Sequence, residues 1–132
     1  MKITRKGLVR KLDKLAGDIV KLRDGACVCC GTKLNLTPGH LFTRQVYATR
    51  WDLNNLFAQC MGCNLRHEHD PYPLTNYYLN KFGKKSYDEL HKVFFRPVPV
   101  KTWQLSILLE NLQTIYKDLL EQNKNEKNNL KS

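Results

Sequence analysis

The chain reads as a small α+β domain on three observations. Leucine and isoleucine recur at helical spacing near both ends, short strand-length runs surround turn residues in the middle, and two Cys-x2-Cys pairs bracket those runs. At 132 residues a single domain is expected. The N-terminal helix is expected over residues 4–23, where Leu8, Leu12, Leu15, Ile19 and Leu22 alternate i+4 and i+3 steps. Thr4 is placed to cap its start and Gly25 to stop it. The opposite face carries Arg5, Lys6, Arg10, Lys11, Lys14 and Lys21. Residues 1–24 hold eight basic and three acidic side chains, a net +5, half of the chain's 22 − 12 = +10.

Further along, residues 33–37 and 40–47 read as two short strands joined by a turn at Pro38-Gly39. The second cysteine pair opens a short helix over residues 61–69, which Pro71 and Pro73 end. Two more helices are expected over residues 74–82 and 87–94, with Gly83 between them. After Arg96-Pro97-Val98-Pro99 comes the longest helix, from an N-cap at Thr102 to about Gln122. Its stripe of Leu105, Leu108, Leu112, Ile115 and Leu119 reads first as core packing and second as a dimer seam. Residues 123–132 read as a flexible polar tail. The single domain thus divides into a basic helix (1–25), a cysteine-bounded core (26–73), a helical segment (74–122) and that tail (123–132).

Composition narrows the class. At 42% hydrophobic and 26% charged the chain is neither disordered nor fibrous. No apolar run approaches the ~18–20 residues of a membrane span. The N-terminus lacks the apolar stretch of a secretory signal, so a reducing cytoplasm is expected and export is not. The net charge of +10 points to a polyanionic partner, nucleic acid first and an anionic membrane surface second.

Five cysteines, an odd number in two tight groups, do not suit a disulfide framework. Cys27, Cys30, Cys60 and Cys63 instead have the spacing of two zinc knuckles, with Gly31 easing the first turn. Four thiolates close a tetrahedral site, so one structural zinc is expected per chain. Cys29 is the spare, and a Cys27/Cys29 pairing is the alternative.

Between and just after these pairs stand His40, Asn55 and Asn64. The run Gly39-His40, then Asp52-Leu53-Asn54-Asn55-Leu56, then Cys60-x2-Cys63-Asn64 resembles the HNH (ββα-metal) endonuclease motif in its zinc-knuckle form. More closely, Cys-x2-Cys-Gly, Gly-His-Leu-Phe-Thr-Arg and Asn-Leu-x2-Gln-Cys-x2-Cys-Asn resemble the phage NinG (Rap) recombination family. The likeness extends through residues 21–24, the segment of Tyr77, Leu79 and Gly83, and the C-terminal helix. It implies a treble-clef zinc scaffold and an endonuclease acting on Holliday junctions or other branched DNA in the host cytoplasm.

Chemistry assigns the parts. Phosphodiester hydrolysis needs an activated water and a cation on the scissile phosphate. His40 is the candidate general base, because imidazole titrates near neutrality. Asn55 is expected to hold the far nitrogen of that ring, its role in the family. Asn64 offers a carbonyl oxygen to Mg²⁺ or Mn²⁺. Many HNH sites place Asp or His just before the catalytic histidine as a metal ligand; here that position is Gly39, so His67 and Asp70 become the candidate further ligands. Arg44 and Arg50 are candidate phosphate clamps, and Arg5, Lys6, Arg10, Lys11 and Lys14 a candidate DNA-backbone footprint. Three functions stay open: a branched-DNA nuclease, for which a homodimer is a candidate state because paired cuts suit two-fold symmetry; a zinc-stabilised DNA-binding module that cuts nothing; and a sequence-directed nicking enzyme.

Overall fold

The computed structural model describes residues 3–130, and it is α+β with helices predominating. Helix α1 (Arg5–Asp24) starts at Thr4, whose hydroxyl accepts from the Gly7 N–H, and stops at Gly25, a left-handed residue at φ 71°. Strand β1 (Leu36–His40) pairs antiparallel with β2 (Leu56–Cys60), Leu36 opposite Cys60 and His40 opposite Leu56. Between them lies the one-turn helix α2 (Tyr47–Arg50). Helix α3 (Met61–His67) follows β2 directly, then α4 (Tyr72–Phe82), α5 (Lys84–Phe95) and α6 (Thr102–Leu130).

Three expectations fail here. Pro38-Gly39 is not a turn but the middle of β1, whose partner is β2 and not residues 40–47. Proline is tolerated because position 38 is a non-hydrogen-bonded pair: the opposite Ala58 sends its N–H to Asp24 and its carbonyl to the Val28 N–H, away from β1. The missing N–H of Pro38 therefore removes no ladder bond. Thr102 does not cap α6 but is its first residue, while the Gln104 side chain accepts from the Lys101 N–H. The expected tail over 123–130 is helical: packing nucleates α6 upstream, and Lys124, Glu126, Lys127 and Leu130, with no Gly or Pro among them, continue it in spite of four asparagines. Residues 131–132 lie outside the described part.

Strand β2 divides two cores, as its two-residue period requires. Leu56 faces an aliphatic cluster of Leu8, Leu12, Ile19 and Val20 from α1 with Leu105, Leu109 and Leu112 from α6. Ile115, expected on that stripe, is exposed, and Leu109 takes the buried position instead. Phe57 faces an aromatic cluster with Leu41, Leu74, Tyr78 and Leu90. The C-terminal end of α1 stands where a third strand would pair, since Arg23 donates to the carbonyls of Leu53 and Leu56. Gly17 lets α1 approach β1, because a Cβ there would already touch Pro38 at 3.1 Å. No described helix is long and apolar enough to cross a membrane.

Candidate metal centre and active-site cleft

At one end of the strand pair the Sγ atoms of Cys27, Cys30, Cys60 and Cys63 all lie within 4.8 Å of one another. An ion held tetrahedrally by bonds of about 2.3 Å sets its sulfurs about 3.8 Å apart; Cys30 and Cys60 stand at 3.7 Å. Each knuckle turns a backbone N–H onto its own first sulfur, Cys30 onto Cys27 at 3.5 Å and Cys63 onto Cys60 at 3.4 Å. Burial alone would raise the Cys27 thiol, but the backbone N–H groups of Cys60, Cys30 and Cys29 bring it down to about 6. Burial and the neighbouring sulfurs push Cys63 far up. A second thiolate beside the first is unfavourable until a cation lies between them. These four residues can hold a metal ion, and the donor set suits zinc. Cys29 is not among them. It accepts a hydrogen bond from the Gln59 amide at 3.4 Å.

At the other end a cleft of about 520 Å³ lies between α1 and α3, lined among others by Asp13, His40, Thr43, Arg44, Arg50, Asn64, His67 and Glu68. It thus collects residues from α1, β1, the connection before α2, and α3. The His40 Nε2 lies 2.9 Å from the carbonyl oxygen of Arg50. A carbonyl only accepts, so Nε2 carries the proton and Nδ1 keeps its lone pair. Burial holds the His40 pKa below the ordinary 6.5, and the charges of Arg44 and Arg50 push the same way, against the Arg50 carbonyl and Asp13. The ring is therefore neutral, and able to take a proton, at neutral pH. Asn64 donates from Nδ2 to the Thr37 hydroxyl at 3.2 Å, which leaves its carbonyl oxygen without a protein partner. His67 donates from Nε2 to the Leu41 carbonyl at 3.0 Å, and its buried Nδ1 has no partner.

Other expected residues go elsewhere. Asn55 is fully buried and does not hold the His40 ring; the Arg50 carbonyl does. Asn55 instead ties down the connection between the strands, accepting from the Phe42 N–H and donating to the Phe42 and Thr49 carbonyls. Arg50 is not a free phosphate clamp, because it is only 9% exposed and its guanidinium grips Asp13 through two bonds of 2.9 and 2.7 Å. Asp70 turns away from the cleft, pairing with Arg66 at 3.0 Å and lining a separate cavity of about 80 Å³. Arg5 donates to Thr102 and the Val100 carbonyl, joining the starts of α1 and α6. Arg44, Lys6, Arg10, Lys11 and Lys14 are exposed, with Lys14 paired to Asp18.

Three participants escape a reading by motif. Glu68, and not Asp70, is the carboxylate that this segment brings to the cleft beside Asp13; its position four residues after Asn64, on the same helical face, was the available signal. Asp13 fixes α2 by accepting from both Arg50 and Trp51, and so orients the carbonyl that holds His40. Nothing in its helix-face position announced that role. Gln59 explains Gly39: a Cβ at Gly39 would collide with the Gln59 amide, so that side chain occupies the space a ligand-bearing residue would need. No protein-family model, curated protein or solved structure matches the chain.

Proposed function

We propose that the chain is a metal-dependent DNA endonuclease with an HNH-like, zinc-braced treble-clef core, acting on branched DNA in phage recombination. What supports it is one cleft lined by a neutral, backbone-held imidazole, an amide oxygen without a protein partner on α3 and the carboxylate of Glu68 at the C-cap of α3. His40 takes the proton of the attacking water at Nδ1, while its Nε2–H stays on the Arg50 carbonyl. Arg44, exposed on the rim, meets a phosphate oxygen. The carbonyl oxygen of Asn64 and the Glu68 carboxylate are the donors that would hold Mg²⁺ or Mn²⁺, while the His67 Nδ1 is sealed from solvent and would not ligate without a turn of the ring. Such a cation would neutralise charge developing on the phosphate. Lys6, Arg10, Lys11 and Lys14 would track the DNA backbone, supplying salt-dependent affinity without sequence choice. Branch preference itself rests on the resemblance to the NinG family.

The test is cleavage of four-way, Y-shaped and linear duplex DNA by the wild type and His40→Ala across Mg²⁺ and Mn²⁺. Cutting of branched DNA by the wild type alone is the expected result. Equal rates on all three substrates would instead favour a nicking enzyme without branch preference. One observation favours a second reading, a zinc-stabilised DNA-binding protein: Gly39 cannot ligate, and Gln59 fills the space beside it. DNA binding with no cleavage under any divalent ion would establish that alternative.

A further inference from the structure

We propose that the exposed rings of His91 and Phe95, at the C-terminal end of α5, form a stacking platform for unpaired DNA bases beside the cleft. The platform's substrate rests on the nuclease reading; its geometry does not. Phe95 is 61% exposed and leans on the exposed His91 in a tilted contact, ring centroids 4.4 Å apart and planes at 35°. Behind them Phe94 lies against Phe42 at 5.2 Å and 24°, and Phe95 meets both edge-on. The aromatic core of Phe57, Tyr78 and Tyr87 therefore continues outward through Phe42 to rings that face water. Leaving a phenyl ring in water forgoes burial that α5 could have used, and its neighbours hold the outer ring in place.

Position and charge select the occupant. Phe42 lies two residues after His40, and the next two residues, Thr43 and Arg44, line the cleft. The platform thus adjoins the loop that forms the cleft rim. Lys92 and Arg96 each follow one of the two rings in sequence and are exposed, with Glu89 one turn before Lys92, while Asp88, on the rings' own helix face, is engaged by Lys84 at 2.9 Å. An apolar face bordered by cations suits a polyanion with flat apolar faces, which describes nucleic acid with unpaired bases. Bases within an intact duplex are stacked on one another and present no such face. Stacking on aromatic side chains is sequence-tolerant, so the rings would report a branch or frayed end and not a particular base. Phosphate contacts at the cleft and along α1 carry no such discrimination.

The test is binding by the intact zinc-loaded chain, without Mg²⁺ or Mn²⁺, to a flayed duplex and to the matched intact duplex. The flayed DNA carries 2-aminopurine at its first unpaired position. The wild type is expected to quench that fluorophore and to prefer the flayed DNA. Phe95→Ala and Phe95→Leu should each weaken flayed binding about tenfold, change duplex binding less than twofold, and leave the fluorophore bright. Phe95→Trp should restore both signals. Equal affinity of the wild type for the two DNAs, equal loss on both in Phe95→Ala, or an unquenched fluorophore would overturn the platform. So would a concentration-dependent dimer abolished by Phe95→Ala with DNA binding unchanged, which would give the patch to a second copy. If no DNA is ever cleaved but the ring-dependent preference holds, the nuclease reading fails and the platform stands. Cleavage without that preference removes the platform alone.

Discussion

The two ends of the β1–β2 pair are built on different principles. Where Leu36 faces Cys60, four sulfurs converge, and each pair comes from one short local turn with its own N–H to sulfur bond. Where His40 faces Leu56, the cleft draws on α1, β1, the strand connection and α3, whose members are far apart in sequence. The sulfur end is therefore made mostly of local chemistry, and the cleft end of tertiary contacts. Damage at the first should propagate to the second, since Cys60 ends β2 and its sulfur accepts from the first turn of α3, the helix that carries Asn64 and ends at Glu68, its C-cap. The reverse is not expected.

The largest effect should come from breaking the sulfur end. Structural zinc in small domains contributes on the order of 10 kcal/mol. Chelation, or Cys60→Ser, is expected to abolish cooperative unfolding and, on the proposed nuclease reading, to remove cleavage, with one zinc per chain measured in the native protein. A metal-free chain that unfolds at an unchanged temperature would disprove the scaffold. Next in size, His40→Ala should lower cleavage about 10³-fold while zinc content, melting temperature and DNA affinity stay near wild type. A drop in melting temperature comparable to the zinc-site variant would make His40 a structural residue.

Asn55→Ala sharpens the comparison from the middle. This buried amide makes three hydrogen bonds to the strand connection, so truncation should cost about 3 kcal/mol. That corresponds to a fall of about 10 °C in melting temperature, with activity lost in proportion to unfolding. A large rate loss in a fully folded variant would return Asn55 to a direct role at the ring. Asp13→Asn should cost less, about 1–2 kcal/mol, because its carboxylate is partly exposed. It should also slow cleavage several-fold by loosening the α2 carbonyl on His40. Unchanged kcat in a measurably destabilised variant would show that α2 keeps its place without the Asp13–Arg50 pair.

How far the sequence could be read follows from the same division. The cysteine spacing, the Thr4 and Gly25 ends of α1 and the placement of α3 to α5 depend on local signals, and they were legible within a few residues. Pro38-Gly39 misled because a turn dipeptide and a non-hydrogen-bonded strand position look alike until the partner strand is known. The end of α6 reads as a tail because its asparagines favour turns and caps, and only the helix already nucleated by packing on α1 carries the chain through them. In the cleft, the motif spacing picks out His40 and Asn64, and the fold does bring both to its lining. The place of Arg50 was not legible, since nothing local distinguishes a DNA-facing arginine from one that pairs with Asp13, 37 residues earlier in the chain.

The smallest effect is the most specific to the cleft. Because the folded His40 ring has its pKa held below 6.5, a water-activating role predicts that cleavage rises with pH through that lowered value with unit slope. Cleavage should be flat by neutrality. The sign follows from the cause: burial and two nearby cations disfavour the protonated ring, so less alkaline conditions already give the free base. Arg44→Gln removes one of those cations, so the protonated form becomes less unfavourable and the acid limb should move to higher pH. Zinc content measured at each pH separates this titration from acid release of the structural ion. A profile that does not move in Arg44→Gln, or that moves to lower pH, would mean the titrating base is not the ring on β1. An ordinary midpoint at or above 6.5 in the wild type would mean the same, and would shift attention to His67 across the cleft.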